Sequence, residues 1–214
     1  MRVIAGVARG RRLTAPPGRA TRPTSDRVKE ALFSSLAPRL RGARAADLYA
    51  GSGALGIEAL SRGAASATFV EHAASAQEAL RDNLSRTGLL TQAVVLREDV
   101  CRALQVGLPG APFDIVLIDP PHQVDPAELE EVLRLVAPVT VPGGVVVVEL
   151  GRRTHPPVWP ERLLPGRERR YGDILLYEAH APATGAVVTP DPGQPVSGPP
   201  ARASGPSRPP IDPV

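Results

Sequence analysis

The residues best suited to chemistry in this chain stand in one short segment, Asp119-Pro120-Pro121-His122. The segment follows the apolar run 113–118, which is typical of a buried strand. Two consecutive prolines cannot continue a ladder of backbone hydrogen bonds, so they end the strand. The Asp119 carboxylate is then delivered to the carboxyl end of a strand, where open α/β sheets bind ligands. A strand that merely stops at a turn would explain an isolated segment of this kind equally well.

A second motif upstream favours the ligand-binding interpretation. The predicted strand 45–49 leads into Gly51, Gly53 and Gly56, which match the pattern G-x-G-x-x-G. Glycines let backbone N–H groups approach a ligand, and the helix predicted from residue 54 supplies further donors. Strand, glycine turn and helix in this order fit either a nicotinamide dinucleotide or S-adenosylmethionine.

Acidic residues at the ends of the predicted strands separate these two ligands. Glu71 lies 20 residues after Gly51, where a carboxylate can bind the two hydroxyls of an adenosine ribose. Asp47 lies four residues before Gly51, where it would repel a pyrophosphate but would suit the cationic amino-acid end of S-adenosylmethionine. Asp47 could instead cap a helix or a turn. Asp99, after a third predicted strand, could accept a hydrogen bond from the adenine amino group or cap the following helix.

The elements needed to position these residues alternate along the chain. Strands are predicted at 45–49, 67–71, 93–97, 113–118 and 144–150, helices at 25–36, 54–62, 73–87, 99–105 and 125–136, and a hairpin near 165–178. This alternation predicts a Rossmann-like α/β fold whose parallel strands are joined by right-handed crossovers. Gly143-Gly144 is expected to form a tight turn into a fully buried strand. Residues 181–214 contain ten prolines and four glycines, a composition that predicts a disordered tail.

The distribution of charge points to a polyanion. Residues 1–44 contain eleven Arg or Lys against two acids, whereas the other 170 residues hold fourteen basic and twenty acidic residues. A basic block joined to a mildly acidic domain is typical of nucleic-acid binding. A solvated basic tail without a partner is the alternative.

Composition excludes several other classes of protein. One cysteine in 214 residues rules out an intrachain disulfide and predicts a reducing, cytoplasmic environment. The four histidines have no metal-ligand spacing, so no metal site is expected. Neither a signal peptide nor a transmembrane run of 18 apolar residues is recognised.

Beyond these motifs, the chain resembles the bacterial small-subunit rRNA guanine-N2 methyltransferases, the RsmD family. The N-terminal block, which contains Arg22-Pro23-Thr24, is the feature that selects this family among methyltransferases. The resemblance covers residues 1–178. It rests on segments 2–6, 9–13, 22–33, 47–64 and 170–177, together with Val70-Glu71 and Asp119-Pro120-Pro121.

The resemblance implies methyl transfer from S-adenosylmethionine to a guanine N2 in small-subunit rRNA, of the guanine-966 class. It also implies a seven-stranded methyltransferase sheet whose final strand is reversed. The expected organisation is a basic RNA-binding extension at 1–40, a methyltransferase domain at 41–180 and the tail. The expected partner is small-subunit rRNA in an assembled or assembling subunit, and the protein is expected to be a monomer.

The predicted site residues fall into three groups. The catalytic group is Asp119, Pro120, Pro121 and His122; the cofactor-binding group is Asp47, Tyr49, Ala50, Gly51, Ser52, Gly53, Glu71 and Asp99; the RNA-binding group is Arg9, Arg11, Arg12, Arg22 and Arg27. His122 departs from the family, which usually has Tyr or Phe there. Its ring could stack on a base, or it could be an ordinary loop residue.

Three other functions remain open at this stage. An adenine-N6 or other amino methyltransferase acting on DNA or RNA would use the same Asp-Pro-Pro site. A nicotinamide-dependent oxidoreductase is disfavoured by Asp47 and by the lack of a Tyr-x-x-x-Lys pair, because Lys29 is the only lysine. A non-catalytic RNA-binding protein is disfavoured because the acidic residues of the site are present.

Overall fold

The computed structural model describes residues 1–16 and 26–183. In this part of the chain the strands are β1 (Arg44–Leu48), β2 (Ser66–Val70), β3 (Ala93–Leu96), β4 (Phe113–Ile118), β5 (Thr140–Gly151), β6 (Leu164–Tyr171) and β7 (Ile174–His180). The helices are α1 (Asp26–Leu40), α2 (Ala54–Ser61), α3 (Ala74–Thr87), α4 (Val100–Val106) and α5 (Pro126–Val136). Two short 3-10 turns, Leu90–Gln92 and Ala137–Val139, precede β3 and β5.

These strands form one seven-stranded sheet in the order β3-β2-β1-β4-β5-β7-β6. Strands β1 to β5 run parallel to one another, whereas β7 is antiparallel to both β5 and β6. The predicted Rossmann-like fold, with seven strands and a reversed last strand, is therefore confirmed. Residues 184–214 of the predicted tail lie outside the described residues.

The central strands are buried on both faces, which explains their uninterrupted apolar sequence. Along β4, Ile115 and Leu117 belong to a core with α1, α2 and α3, whereas Val116 and Ile118 belong to a second core with α4 and α5. The sheet thus lies between two helical layers. Loops surround the carboxyl end of the sheet, and the predicted site residues lie at that end.

Residues 1–16 pack onto the first helical layer. Val3 and Leu13 are buried in the same core as α1 and α2, and one antiparallel bridge joins Arg2 to Arg12. The buried Glu58 carboxylate on α2 accepts hydrogen bonds from the Ile4 and Ala5 amides. The N-terminal segment is therefore held by specific contacts to the sheet's own helices.

Two predicted boundaries were wrong. The helix predicted to end at residue 36 continues to Leu40 through Pro38, because both Leu36 and Leu40 face the core. The strand predicted to begin at residue 144 begins at Thr140. Gly143-Gly144 does not precede the strand but lies inside it, at a register shift between β4 and β5. A glycine pair is compatible with such a bulge as well as with a turn.

Among the described residues no helix is both long enough and apolar enough to span a membrane.

Candidate active site

The two sequence motifs meet at the carboxyl ends of the neighbouring strands β1 and β4. Leu48 is paired with Ile118, the last residue of β4, and the Asp119 amide donates to the Leu48 carbonyl at 3.4 Å. The glycine turn after β1 and the Asp-Pro-Pro segment after β4 therefore leave the sheet side by side. A cofactor held by the first would lie next to a substrate held by the second.

The backbone of the glycine turn takes an uncommon path. Gly51 and Gly53 have positive φ angles of 55° and 78°. Tyr49, with φ of 61°, is the one non-glycine residue with a positive φ angle among the described residues. Such a conformation costs free energy in a residue with a side chain and is typical of functional sites. The Tyr49 hydroxyl donates to Glu128 at 2.9 Å, and this contact with α5 helps to hold the turn.

The third glycine of the motif allows α2 to pack closely on the sheet. A Cβ at Gly56 would overlap the Phe69 ring of β2, so only glycine fits. The Gly56 amide donates to Asp47 Oδ2 at 2.7 Å. Asp47 thus caps the start of α2, which is the alternative that the sequence left open.

Asp47 is nevertheless an unusual cap, because it is only 1% exposed. Burial raises the pKa of its carboxyl group well above the ordinary value, and the nearby charges of Asp119 and Glu71 raise that pKa further, while the Gly56 hydrogen bond acts in the opposite direction. Three acidic side chains therefore converge at this end of the sheet. Such a site favours a cationic ligand and disfavours a phosphate.

Glu71 connects the ends of β1 and β2. Its carboxylate is 2% exposed and accepts hydrogen bonds from the Gly51 amide at 2.9 Å and the Ala73 amide at 2.8 Å. His72 Nδ1 lies 3.5 Å from the same carboxylate. Glu71 is therefore positioned against the glycine turn, and its binding of a ribose stays a prediction.

The remaining predicted cofactor residues differ in their surroundings. Asp99 is exposed and accepts a hydrogen bond from the Arg102 amide at 3.0 Å. It therefore caps α4, which is one of the two roles that the sequence allowed. Ala50 and Ser52 are buried, and the Ser52 carbonyl accepts from Asn83 Nδ2 at 2.9 Å. These contacts make the glycine turn rigid; its binding role stays a prediction.

A cavity of about 760 Å³ opens on the β5 side of Asp119. Asp119 is half-buried, Pro120 is buried, and Pro121 and His122 are exposed. The His122 ring faces the end of β5, since a Cβ at Gly151 would lie 3.7 Å from His122 Nδ1. The cavity is lined by Asp119, His122, Gln123, Glu149, Leu150, Gly151, Arg152, Arg153, Thr154, Asp173 and Ile174.

Several of these polar residues were missed by the sequence reasoning. Glu149, Arg152 and Arg153 come from the end of β5, and Asp173 comes from the turn between β6 and β7. A signal for Glu149 was present, because it follows a run of four valines as Asp119 follows 113–118. Asp173 carried no such signal, since its position depends on the reversed pairing of β7.

The predicted RNA-binding arginines that are described are all exposed. Arg9, Arg11 and Arg12 lie in the N-terminal segment, Arg27 lies on α1, and Arg22 falls outside the described residues. The segment is fixed to α2, because the Ala8 amide donates to Ser61 Oγ at 3.0 Å. Residues 1–16 are therefore an ordered part of the fold, with their arginines exposed to solvent. Their contact with RNA stays a prediction.

No group of three or more His, Cys, Asp or Glu residues within 1–16 and 26–183 is arranged to hold a metal ion.

The strand order, the glycine turn and the similarity to solved structures define the class of protein: it is a methyltransferase of the S-adenosylmethionine-dependent kind. A solved Escherichia coli structure, described provisionally as a methyltransferase, is 36% identical, with a TM-score of 0.74 over 86% of this chain and 98% of that chain. The fold and cofactor predictions agree with this class.

The family follows from the remaining comparisons. Residues 1–179 match the family described as "Conserved hypothetical protein 95". A Bacillus subtilis protein, provisionally named as an rRNA methyltransferase, is 38% identical over 83% of this chain and 98% of its own length. Ribosomal RNA small subunit methyltransferase D of Haemophilus influenzae is 35% identical over 84% of this chain and 93% of its own length. The chain therefore belongs to the RsmD family, and the resemblance drawn from its motifs is confirmed.

Proposed function

We propose that this protein transfers a methyl group from S-adenosylmethionine to the exocyclic N2 of a guanine in small-subunit rRNA, of the guanine-966 class. The observation that carries the proposal is the position of Asp119. It lines the cavity beside β5, and its charge also acts on Asp47 next to the glycine turn. One carboxylate thus faces both the cofactor side and the acceptor side of the site. The names of the relatives support rRNA as the substrate.

The acidic end of the sheet fits the charge of the cofactor. S-adenosylmethionine, when bound, supplies an electrophilic methyl group on a sulfonium. Asp47 would bind its ammonium group, the backbone from Tyr49 to Gly53 would surround its amino-acid end, and Glu71 would bind the ribose hydroxyls. Asp99 would lie nearer the adenine. A dinucleotide is disfavoured, because the buried carboxylate of Asp47 lies directly below the turn where its pyrophosphate would be.

Asp119 and Pro120 would act on the acceptor amine. The lone pair of guanine N2 is delocalised into the ring, so the amine is a poor nucleophile. The Asp119 carboxylate can accept one N–H hydrogen bond and the Pro120 carbonyl the other, which would turn the nitrogen toward tetrahedral geometry. The nitrogen lone pair would thereby be available to the methyl group that the sulfonium supplies, and the proton that the methylated nitrogen sheds would pass to the Asp119 carboxylate or to water. Positioning of this kind can supply roughly 7–11 kcal/mol.

The acceptor base must leave its stack to reach Asp119, because an amine inside a duplex is inaccessible. The cavity is large enough for a flipped nucleotide. His122 lies at its mouth and would stack on the base, in place of the Tyr or Phe usual in the family. Pro121 fixes the direction in which the chain carries this ring.

The arginines would bind the rRNA backbone. Arg9, Arg11, Arg12 and Arg27 form the exposed basic surface, Arg22 is expected to contribute, and Arg152 and Arg153 add positive charge at the cavity. The substrate would be rRNA in an assembled or assembling subunit, methylated by a cytoplasmic monomer. Residues 1–40 would serve RNA binding and residues 41–180 methyl transfer.

The test is the identity of the methylated nucleoside. Small ribosomal subunits that lack the modification are incubated with the protein and labelled S-adenosylmethionine, and their rRNA is digested to nucleosides. We expect N2-methylguanosine as the labelled nucleoside. N6-methyladenosine would instead favour an adenine-N6 methyltransferase. The absence of label from both subunits and free rRNA would contradict the proposal.

A further inference from the structure

Glu149 stands beside Asp119 in the acceptor cavity. The last paired residues of β4 and β5 are Ile118 and Val148, so the residues that follow them, Asp119 and Glu149, stand at the same level on neighbouring parallel chains, although β5 continues beyond Glu149 to Gly151. Both line the cavity. Glu149 is 7% exposed, so it is a largely buried acid at the wall of this cavity. Two neighbouring acidic residues therefore line the cavity that would receive the acceptor base.

A pair of adjacent acceptors matches guanine and mismatches adenine. The Watson–Crick edge of guanine carries two neighbouring donors, the N2 amine and N1–H, followed by the O6 acceptor. The corresponding edge of adenine carries one amine donor beside the unprotonated N1, which is an acceptor. With the amine on Asp119, guanine would direct N1–H at the second carboxylate, whereas adenine would direct a lone pair at it. Two opposed acceptors without a shared hydrogen are repulsive.

Positive charge in the same cavity suits the remaining guanine atom. Arg152 and Arg153 follow β5 directly and line the cavity with Glu149. The backbone of this turn is fixed, because the Arg152 amide donates to the Asp173 carbonyl at 2.8 Å and the Thr154 amide donates to the Gly151 carbonyl at 2.9 Å. Guanine O6 would therefore find donors on the side of the base where adenine, held by its amine at Asp119, has only C2–H.

We infer that Glu149 selects the acceptor base by accepting a hydrogen bond from guanine N1–H, and so excludes adenine from the site. The inference rests on the proposed methyl transfer and goes beyond it, because the Asp-Pro-Pro segment alone fits either amine. Glu149 is a specificity residue here, and Asp119 remains the residue at the reacting nitrogen. A buried group that must pair with the substrate discriminates strongly against an analogue that lacks the matching atom.

The test uses 2-aminopurine, which keeps the 2-amino group of guanine but has an unprotonated N1 and lacks O6, so the change of preference between protein variants is what reports on Glu149. Subunits are reconstituted with guanine or 2-aminopurine at the mapped target position, and kcat/KM is measured for each. The parent protein should prefer guanine by about 100-fold or more. In Glu149→Gln the amide can donate to the unprotonated N1, so the preference should fall by at least about tenfold, the effect of one hydrogen bond to a charged group. S-adenosylmethionine affinity should stay within a few-fold of the parent.

The control is Glu178→Gln on β7, which changes an equally exposed glutamate that does not line this cavity. It should leave the preference unchanged. The preference is the ratio of two kcat/KM values measured with the same variant, so a reduced folded fraction cancels from it. An unchanged ratio in Glu149→Gln would overturn the inference while leaving the proposed function intact. Failure of the parent to form N2-methylguanosine on native subunits would instead contradict the proposed function.

Discussion

The Glu71 carboxylate, at the end of β2, accepts a hydrogen bond from the Gly51 amide at 2.9 Å and from the Ala73 amide at 2.8 Å. The loop that would hold the cofactor ribose is thereby joined to the glycine turn that would hold its amino-acid end. The contact gives Glu71 two functions, one in the structure of the turn and one in ligand binding. The two can be separated by experiment.

Replacing Glu71 by Gln should weaken both S-adenosylmethionine binding and the fold, to extents that can be measured separately. The amide keeps an acceptor oxygen for one of the two backbone amides but opposes the other with its NH2 group, and it loses the charge-assisted hydrogen bonds to the ribose, which cost about 1–3 kcal/mol of binding free energy. Titration calorimetry and thermal melting would measure the two effects. Glu78→Gln, on the exposed face of α3, is the matched control. Parental affinity in Glu71→Gln, or tight NAD binding by the parent, would contradict the assignment.

Binding of S-adenosylmethionine should be linked to the protonation of Asp47. Burial raises the pKa of Asp47 in the free protein, whereas the ammonium group of the cofactor would lower it in the complex. Binding should then release a proton between these two pKa values and become tighter as the pH rises through that window. Calorimetry in buffers of different ionisation enthalpy would count the proton. Asp47→Asn should abolish the release, and an unchanged release in that variant would exclude Asp47 as its source.

The Asp47 carboxyl group should also make the free energy of unfolding depend on pH, in the direction opposite to that of cofactor binding. A carboxyl group whose pKa is raised on folding binds more protons in the folded state, so stability is lost as the pH rises from the unfolded value of about 3.9 toward the raised folded value. Denaturant unfolding of the cofactor-free protein at several pH values should show this loss, and Asp47→Asn should reduce it. Stability that rises equally with pH in both proteins would contradict the pKa shift.

His122 should be replaceable by another flat ring but not by a small side chain. Its ring lies at the mouth of the cavity near Gly151, where a base could stack on it. His122→Phe and His122→Tyr should keep methyl transfer, whereas His122→Ala should lose about 1–3 kcal/mol of stacking, seen as a lower kcat/KM for RNA. Cofactor affinity should be unaffected in all three. Full activity of the alanine variant would identify His122 as an ordinary loop residue.

The exposed arginines of the N-terminal segment should determine the salt dependence of RNA binding. Each phosphate contact contributes roughly 0.7–0.9 to the slope of log affinity against log salt, so replacing Arg9, Arg11 and Arg12 by Ala should flatten the slope. The control replaces Arg102, Arg134 and Arg162, which are also exposed. The first two lie on α4 and α5, across the sheet. Equal slopes for the parent and the Arg9, Arg11, Arg12 variant would exclude these arginines from the interface.

Local sequence patterns were sufficient to predict the residues at the carboxyl ends of β1, β2 and β4. Glu71 and Asp119 each follow an apolar run, Asp47 is the last residue but one of β1, and parallel strands bring such ends together. Patterns could not distinguish a turn from a bulge at Gly143-Gly144, because glycine suits both. Nor could they give Asp173 a place in the cavity, because that requires the antiparallel return of β7. For Asp47 and Asp99, capping and ligand binding need the same residue type, so only the hydrogen bonds reveal the caps.

Single-turnover methyl transfer by Asp119→Ala tests whether Asp119 holds the acceptor amine. The variant is saturated with labelled S-adenosylmethionine, mixed with unmodified small subunits, and compared with the parent and Asp119→Asn for cofactor affinity and for the rate of N2-methylguanosine formation. We expect cofactor affinity within a few-fold of the parent, transfer almost abolished in the alanine variant, and partial transfer with Asn, which keeps one acceptor oxygen. Parental transfer rates in Asp119→Ala, or an equal loss of cofactor binding and transfer, would contradict the assignment of Asp119 to the acceptor amine.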